Sequence, residues 1–467
     1  MKKGRKVFVL GLDAVPPSLL ETLKGEMPNL RKILETSEYG PLESTHPPIT
    51  CPAWTTMVTG KDPGELGIYG FRNRVGPGYD HLKIVSSRDV HVPAVWDFLS
   101  QKGKEVIVVA VPPGYPPKPV NGYFVSCFLT PGHNNVFTYP DSFKEELLDI
   151  SPLYKFDVEN FRSSEKERIL EEIYTLTEQH FKIVQHLLKT KTWDFFMFTE
   201  IATDRLHHGF WKYFDPSHPK HDPNSKFRNA IPDYYRQLDV LMGKIFELLD
   251  EQTSIFIVSD HGSKAIHGGI AINEFLIEEG FLVLKEQVVK EKAFVEPISM
   301  VSACLPAGNQ NHTVSVSPEM IDWQRTRAWG EGGYYARVFI NKKGREPQGI
   351  VRDSEFESLK FKLKEKLEAI PDENGKRLAT KVLFPEELYP RIIGLPPDLM
   401  IYFDDLNWRA IGTIGYPSIY VSENDTGPDD SNHSQNGIFA FRNKGVRAKK
   451  VENLKIHQVA QKILENL

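Results

Sequence analysis

Cysteine is scarce in this chain: Cys51, Cys127 and Cys304 are the only three in 467 residues. Thiols so few and so scattered supply neither a disulfide framework nor a cysteine zinc site. A large excess of one charge is also missing. Against 57 Lys and Arg stand 62 Asp and Glu, a formal net charge of −5, so nothing points to a nucleic-acid partner or a membrane surface. No stretch approaches the ~18 apolar residues that a membrane span needs. The opening "MKKGRKVFVLGLDA" has the basic start of a secretory leader, but the apolar run Val7–Leu12 is short and Asp13 interrupts it. The expected compartment is therefore the cytoplasm. Internal repeats and low-complexity segments are lacking as well. What is present is 40 % hydrophobic and 25 % charged, the balance of a globular chain, at a length that suits one large α/β domain with insertions or two ordinary domains.

The first half alternates strand-like and helix-like segments. "KVFVLGL" (6–12), "KEVIVVAVP" (104–112), "WDFFMFTEI" (193–201) and "TSIFIVSD" (253–260) read as buried strands. Between them lie helical patterns: "PSLLETLKGEMPNLRKILE", "AVWDFLSQKG", residues 164–189, and "DYYRQLDVLMGKIFELLD". This alternation predicts an α/β fold, a mostly parallel central sheet with helices on both faces. From about residue 285 to 396 the pattern degrades into short strands such as "ARVFIN" and a charged helix, "SEFESLKFKLKEKLEAI". That segment reads as an inserted, smaller α+β module on the substrate side, and residues 1–284 with 397–467 as the core. "PDLMIYFDD" is expected to return to the central sheet, and the tail to close on a last strand and helix.

Ligands of a parallel sheet bind beyond the carboxyl ends of its strands. The first strand ends at Asp13. The third runs into "TEIATDRLHHGFW", with Asp204 and, four residues on, His208. The fourth ends in "SDHG", with Asp260 beside His261, and His433 precedes the last strand in "SNHSQNGIF". Taken singly these are ordinary features: a strand-end Asp commonly caps the next helix, and an Asp–His pair at i,i+4 is a common helix contact. Together they deliver three Asp and three His to one edge of one sheet. Oxygen and imidazole donors in that mixture suit two divalent ions, zinc favoured by the imidazole share and manganese as the alternative. Two such ions ~4 Å apart would clamp the attacking and leaving oxygens of a phosphoryl transfer.

A two-metal phosphoryl site calls for a nucleophile, and "PPITCPAWTTMVTGKDPGELGIYGF" offers two, Thr50 and Cys51. A hydroxyl at a helix N-terminus gains from the backbone N–H groups there, and from a metal that makes it acidic enough to attack. Cys51 lacks the His and Asn arrangement of a thiol enzyme and reads as a small buried apolar residue.

These stretches, with "GLDA" (11–14), "VWDFLSQKGKEVIVVAVPPGYPP" and "SDHGSKAIHGGIAINEFLIEEGFL", resemble the alkaline phosphatase superfamily. Within it they resemble the type I phosphodiesterase/nucleotide pyrophosphatase branch, in particular its prokaryotic predicted phosphohydrolases and phosphomutases. The resemblance implies an alkaline-phosphatase-like fold and one metal site made by Asp204, His208 and His433. It implies a second made by Asp13, Asp260, His261 and the Thr50 hydroxyl. Thr50 would form a phospho-threonine that water then cleaves. A sulfatase is disfavoured, because Thr50 cannot become formylglycine and Trp54 stands at that motif's Arg position. Where nucleotide pyrophosphatases keep a phosphate-holding Asn, counting from Gly67 gives Phe71, so nucleotide specificity is not carried over. Arg72, Arg74, Arg205 and His267 are candidates to contact substrate, each more simply read as a solvated surface charge.

The leading expectation is thus a two-metal hydrolase of small phosphate esters. A phosphomutase of the same superfamily and a nucleotide pyrophosphatase are the alternatives, and a ligand-binding protein without activity is disfavoured because every expected position holds a competent residue.

Overall fold

The computed structural model describes residues 5–286, 313–445 and 447–467; Cys304 and the first part of the 285–396 segment lie outside the described residues. The described chain divides into two compact units, one of residues 1–73, 84–265 and 428–467, the other of residues 74–83 and 266–427.

The first unit is built on a ten-stranded sheet. Its centre is parallel: Val7–Leu12 lies between Phe195–Glu200 and Ser254–Val258, and Val106–Val109 continues the sheet beyond Phe195–Glu200. Asn436–Arg442 runs antiparallel beside Ser254–Val258 and joins it to Glu38–Glu43. All of the residues in the three central strands are buried, which explains their near-continuous apolar runs.

The pleat sorts those residues onto two faces. Phe8, Leu10, Phe196, Phe198, Ile255 and Ile257 pack under the helices Lys166–Thr190, Ala202–Phe214 and Ala230–Phe246. Val7, Val9, Phe195, Met197, Phe256 and Val258 pack on the opposite face, under Thr50–Thr59, Val95–Gln101 and Val459–Leu464. Gly11 marks the closest approach: a Cβ there would meet Trp54 Cη2 at 2.4 Å, so the indole fits over the strand only because residue 11 has no side chain. The stretch "PSLLETLKGEMPNLRKILE" is two helices, Pro17–Leu23 and Pro28–Leu34, because Pro28 opens the second as its first residue.

The second unit has a four-stranded antiparallel sheet in the order Ala328–Glu331, Ala336–Ile340, Leu399–Tyr402, Lys381–Leu383, with the helix Asp353–Glu368. "PDLMIYFDD" therefore does not return to the central sheet. Leu399 and Ile401 instead bury into this unit's own apolar core with Val338, Leu359 and Leu363. The compact unit runs from 266 to 427, where the sequence reading drew the module at 285–396, because Gly268–Ala271 and Trp408–Ile411 pair within it.

Candidate metal centre

The ends of the central strands converge on one buried cluster. Asp13 follows the first strand, and its N–H donates to the Glu200 carbonyl (3.0 Å), which ties the two strand ends together. The chain then turns sharply through Ala14, at a φ of 64°. That turn aims the Ala14 N–H at Asp260 Oδ1 (3.2 Å) and the Val15 N–H at Ser259 Oγ (2.8 Å). His433 enters through the strand Ser431–Ser434, paired antiparallel to Gly262–Ala265, with His433 opposite Ser263. Asp204 and His208 stand one turn apart on Ala202–Phe214, and Thr50 is the first residue of Thr50–Thr59.

All seven of Asp13, Thr50, Asp204, His208, Asp260, His261 and His433 are buried, none more than 2 % exposed. The structure brings them together. Asp204 Oδ1 lies 3.2 Å from His208 Nε2 and 3.9 Å from His433 Nε2. His261 Nε2 lies 3.2 Å from Asp260 Oδ2, 3.7 Å from Asp13 Oδ1 and 3.3 Å from Thr50 Oγ1. The His261 and His433 rings stack at 3.8 Å, so the two halves of the cluster share a wall. Because of that stack, the donor groups whose atoms all fall within 4.8 Å are Asp13, Asp260, His261 and Asp204, His261, His433. His208, though near Asp204, belongs to neither group.

The hydrogen bonds decide which atoms face inward. His208 Nδ1 donates to Asp429 Oδ1 (2.6 Å), His261 Nδ1 to the Gly262 carbonyl (3.1 Å) and His433 Nδ1 to the Pro48 carbonyl (2.8 Å). A proton on each Nδ1 leaves each Nε2 with its lone pair, the ligand tautomer. The carboxylates are divided in the same way. Asp13 Oδ2 accepts from Trp54 Nε1 (2.7 Å), Asp260 Oδ1 from Ala14, and Asp204 Oδ2 from Arg205 Nη1 (2.5 Å). Their other oxygens, Asp13 Oδ1, Asp260 Oδ2 and Asp204 Oδ1, are buried and accept no hydrogen bond. Imidazole Nε2 atoms thus face carboxylate oxygens that accept no hydrogen bond, an arrangement that a cation would satisfy. The donor set fits divalent metal ions.

Electrostatics agree. Burial, and then repulsion by Asp204, raises the Asp13 carboxyl well above its ordinary range, and burial and Asp13 do the same to Asp260. Burial pushes Asp204 up too, but the attraction of His208, Arg205 and His433 outweighs it and holds that carboxyl low. Burial lowers His261 to about 4 and, with help from His261, drives His433 well down. Cys51 is sealed among Leu66, Ile68 and Val85, and burial pushes its thiol well up, away from the thiolate a nucleophile requires.

The four basic candidates fare differently. Arg205 is largely buried and engaged: Nε and Nη2 grip Asp157 at 2.7 and 2.8 Å while Nη1 holds Asp204. Arg74, in the second unit, is an internal ion pair with Glu346 (2.6 Å), its guanidinium over the Trp329 and Phe339 rings, and not a solvated charge. Arg72 and His267 are exposed. Sequence reasoning gave no such role to Trp54 and Asp429, which bond the clustered side chains, or to Asp157 and Arg162, which bond Arg205 and Asp429 behind them. The acidic pair in "GPDDSNH" just before His433 was the one local signal available for Asp429.

The family model that matches this chain sets its class, a phosphoester hydrolase. The chain belongs to the type I phosphodiesterase / nucleotide pyrophosphatase family, whose model matches residues 7–429. Among solved structures it is similar to human ectonucleotide pyrophosphatase / phosphodiesterase 5, at 13 % identity and a TM-score of 0.53, over 99 % of this chain and 94 % of that one. Phosphonoacetate hydrolase from Sinorhizobium meliloti 1021, in complex with phosphonoformate, matches at 15 % identity and a TM-score of 0.58, over 99 % and 95 % of the two chains. An inactive threonine-to-alanine form of murine ectonucleotide pyrophosphatase / phosphodiesterase 5, in complex with AMP, matches at 12 % and 0.54, over 99 % and 94 %. No curated protein matches by sequence. Among the described residues no helix is long and apolar enough to cross a membrane.

Proposed function

We propose that this protein is a two-metal hydrolase of small phosphate esters that acts through a phospho-threonine at Thr50. The observation that carries the reading is the division of each of the three Asp and three His side chains into one hydrogen-bonded atom and one atom that faces a shared centre. Asp204, His208 and His433 would hold one divalent ion, and Asp13, Asp260, His261 and the Thr50 hydroxyl the other, with zinc suited to the imidazole share. When bound, the two ions supply the positive charge that acidifies the Thr50 hydroxyl and offsets charge on the transferring group.

The chain's own residues do the rest. The helix N-terminus presents Thr50 Oγ1 toward phosphorus, in a field that favours anionic oxygen. Thr50 Oγ1 bonds to phosphorus as the ester P–O bond opposite breaks, its proton passing to solvent and the leaving group departing with the bonding pair. Water then attacks the phospho-threonine, which restores the hydroxyl and releases the phosphate. The inactivity of the threonine-to-alanine murine relative supports a threonine in this role.

Phe71 bears on the substrate. A phenyl ring donates no hydrogen bond to an equatorial phosphoryl oxygen, and one missing donor of that kind costs ~10²-fold in rate. A nitrophenyl phosphodiester should therefore be hydrolysed with a higher kcat/KM than ATP. The test compares the diester, a nitrophenyl monoester and ATP under one zinc or manganese condition, in wild type and in Thr50→Ala, Thr50→Ser and Cys51→Ala. Thr50→Ala should lose nearly all turnover with both ions retained, Thr50→Ser should keep much of it, and Cys51→Ala should match wild type. An active Thr50→Ala would overturn the mechanism, and efficient base-selective cleavage of ATP would overturn the substrate reading.

A further inference from the structure

The two halves of the centre are held by different means. Around Asp13, Asp260 and His261 the orienting groups are neutral: the Trp54 indole on the helix Thr50–Thr59, the Ala14 N–H and the Gly262 carbonyl. Around Asp204 and His208 they are charged, and they lead to one place. Arg205, which holds Asp204, is gripped through two bonds by Asp157. Asp429, which holds His208 Nδ1, accepts through Oδ2 from Arg162 Nε (2.8 Å). Between Asp157 and Arg162 in sequence stands Phe161, and both guanidinium groups lie over its ring, Arg205 at 4.4 Å and Arg162 at 4.5 Å from the centroid. The same ring sits 5.9 Å from the His208 imidazole. The segment is an irregular stretch between the helices Phe143–Ile150 and Lys166–Thr190.

We propose that residues 157–162 form a clamp that holds Asp204 and His208 in ligand geometry, and so set the affinity of the first metal subsite separately from the second. This rests on the two-metal reading above. Each arm has a physical effect on its ligand. The Asp429 carboxylate fixes the His208 ring and tautomer and makes Nε2 a stronger donor. Arg205, itself held by a planar two-bond match to Asp157, locks the Asp204 rotamer and keeps that carboxylate ionised. Phe161 couples the arms by stacking under both cations. Asp157, Phe161 and Arg162 touch no reacting atom; they are positioning residues.

The experiment titrates Zn²⁺ into the full-length, chelator-stripped protein against a chromophoric competing chelator. His208→Ala, which removes a first-subsite ligand, identifies which binding step belongs to that subsite. Arg162→Ala and Asp157→Asn change partly exposed side chains, so two independent folded variants probe the two arms. Each should weaken the first-subsite step by ~10-fold or more, the usual effect of losing a group behind a metal ligand, and leave the other step unchanged. Trp54→Phe should do the reverse. Clamp variants that weaken both steps alike, or neither, would overturn the inference while leaving two ions in wild type. A wild-type protein that takes up fewer than two ions would overturn the two-metal reading itself, and this inference with it.

Discussion

Asp13 uses its two oxygens differently. Oδ2 takes the Trp54 N–H, and Oδ1, buried beside it, takes no hydrogen bond. The indole reaches there because it sits one helical turn after Thr50 and lies over Gly11. One residue pair thus links the Thr50–Thr59 helix to the end of the first strand. Trp54→Phe keeps most of the ring but leaves Oδ2 buried without a donor. In the metal-free protein this should cost ~1–3 kcal/mol, the penalty for an unsatisfied buried polar atom. Urea unfolding of the stripped wild type and variant measures it, and equal stabilities would mean that Oδ2 finds another donor.

On the scale of an element, the helix Ala202–Phe214 shows how one periodicity separates neighbouring histidines. His208 shares a face with Asp204, four residues before it, and turns to the centre. His207 points elsewhere: its nitrogens lie 3.0 Å from Ser263 Oγ and 3.0 Å from the Tyr235 hydroxyl, and its ring is stacked on Tyr235. Burial lowers its pKa to about 3, so it is a neutral bridge that fastens the helix to its neighbours. His207→Ala should therefore lower stability, by ~1–3 kcal/mol for the hydroxyls left unpaired, yet keep two metal ions per chain. His208→Ala should give up one. Metal content by mass spectrometry, read beside unfolding curves, distinguishes the two, and loss of an ion from His207→Ala would reverse the assignment of the pair.

For the molecule as a whole, three carboxylate oxygens and three imidazole Nε2 atoms gather in one buried centre, and the proposed metal sites would make the folded state dependent on cations. Without them, burial and mutual repulsion raise Asp13 and Asp260, a sign that the charged forms are disfavoured there. Any ion that binds only the folded chain stabilises it by mass action, by ~4 kcal/mol at a thousandfold excess over its dissociation constant. Adding Zn²⁺ to the chelator-stripped protein should therefore raise the melting temperature, and Asp260→Asn should reduce the rise. A melting temperature indifferent to Zn²⁺ and chelator alike would contradict a resident metal.

The sequence by itself determined the strands and what they carry to their ends. Continuous apolar runs mark strands buried on both faces, and chemistry in a parallel sheet gathers where those runs stop, so Asp13, Asp204, His208, Asp260, His261 and His433 were legible from local pattern alone. Local pattern failed where an assignment depended on a distant partner. "PDLMIYFDD" has the apolar run of a core strand, yet only its antiparallel pairing with Ala336–Ile340 and Lys381–Leu383 decides which sheet it joins. Arg74 looks like surface charge until Glu346, 272 residues away, is placed against it. The orienting shell is the extreme case: Trp54 meets Asp13 across 41 residues, Arg205 meets Asp157 across 48, and Arg162 meets Asp429 across 267. A hydrogen bond between such groups leaves no period or spacing in the chain, because nothing about either residue's neighbours requires the other. Only the packed sheet, by bringing those segments within 3 Å, decided which oxygen and which nitrogen of each ligand would face the centre.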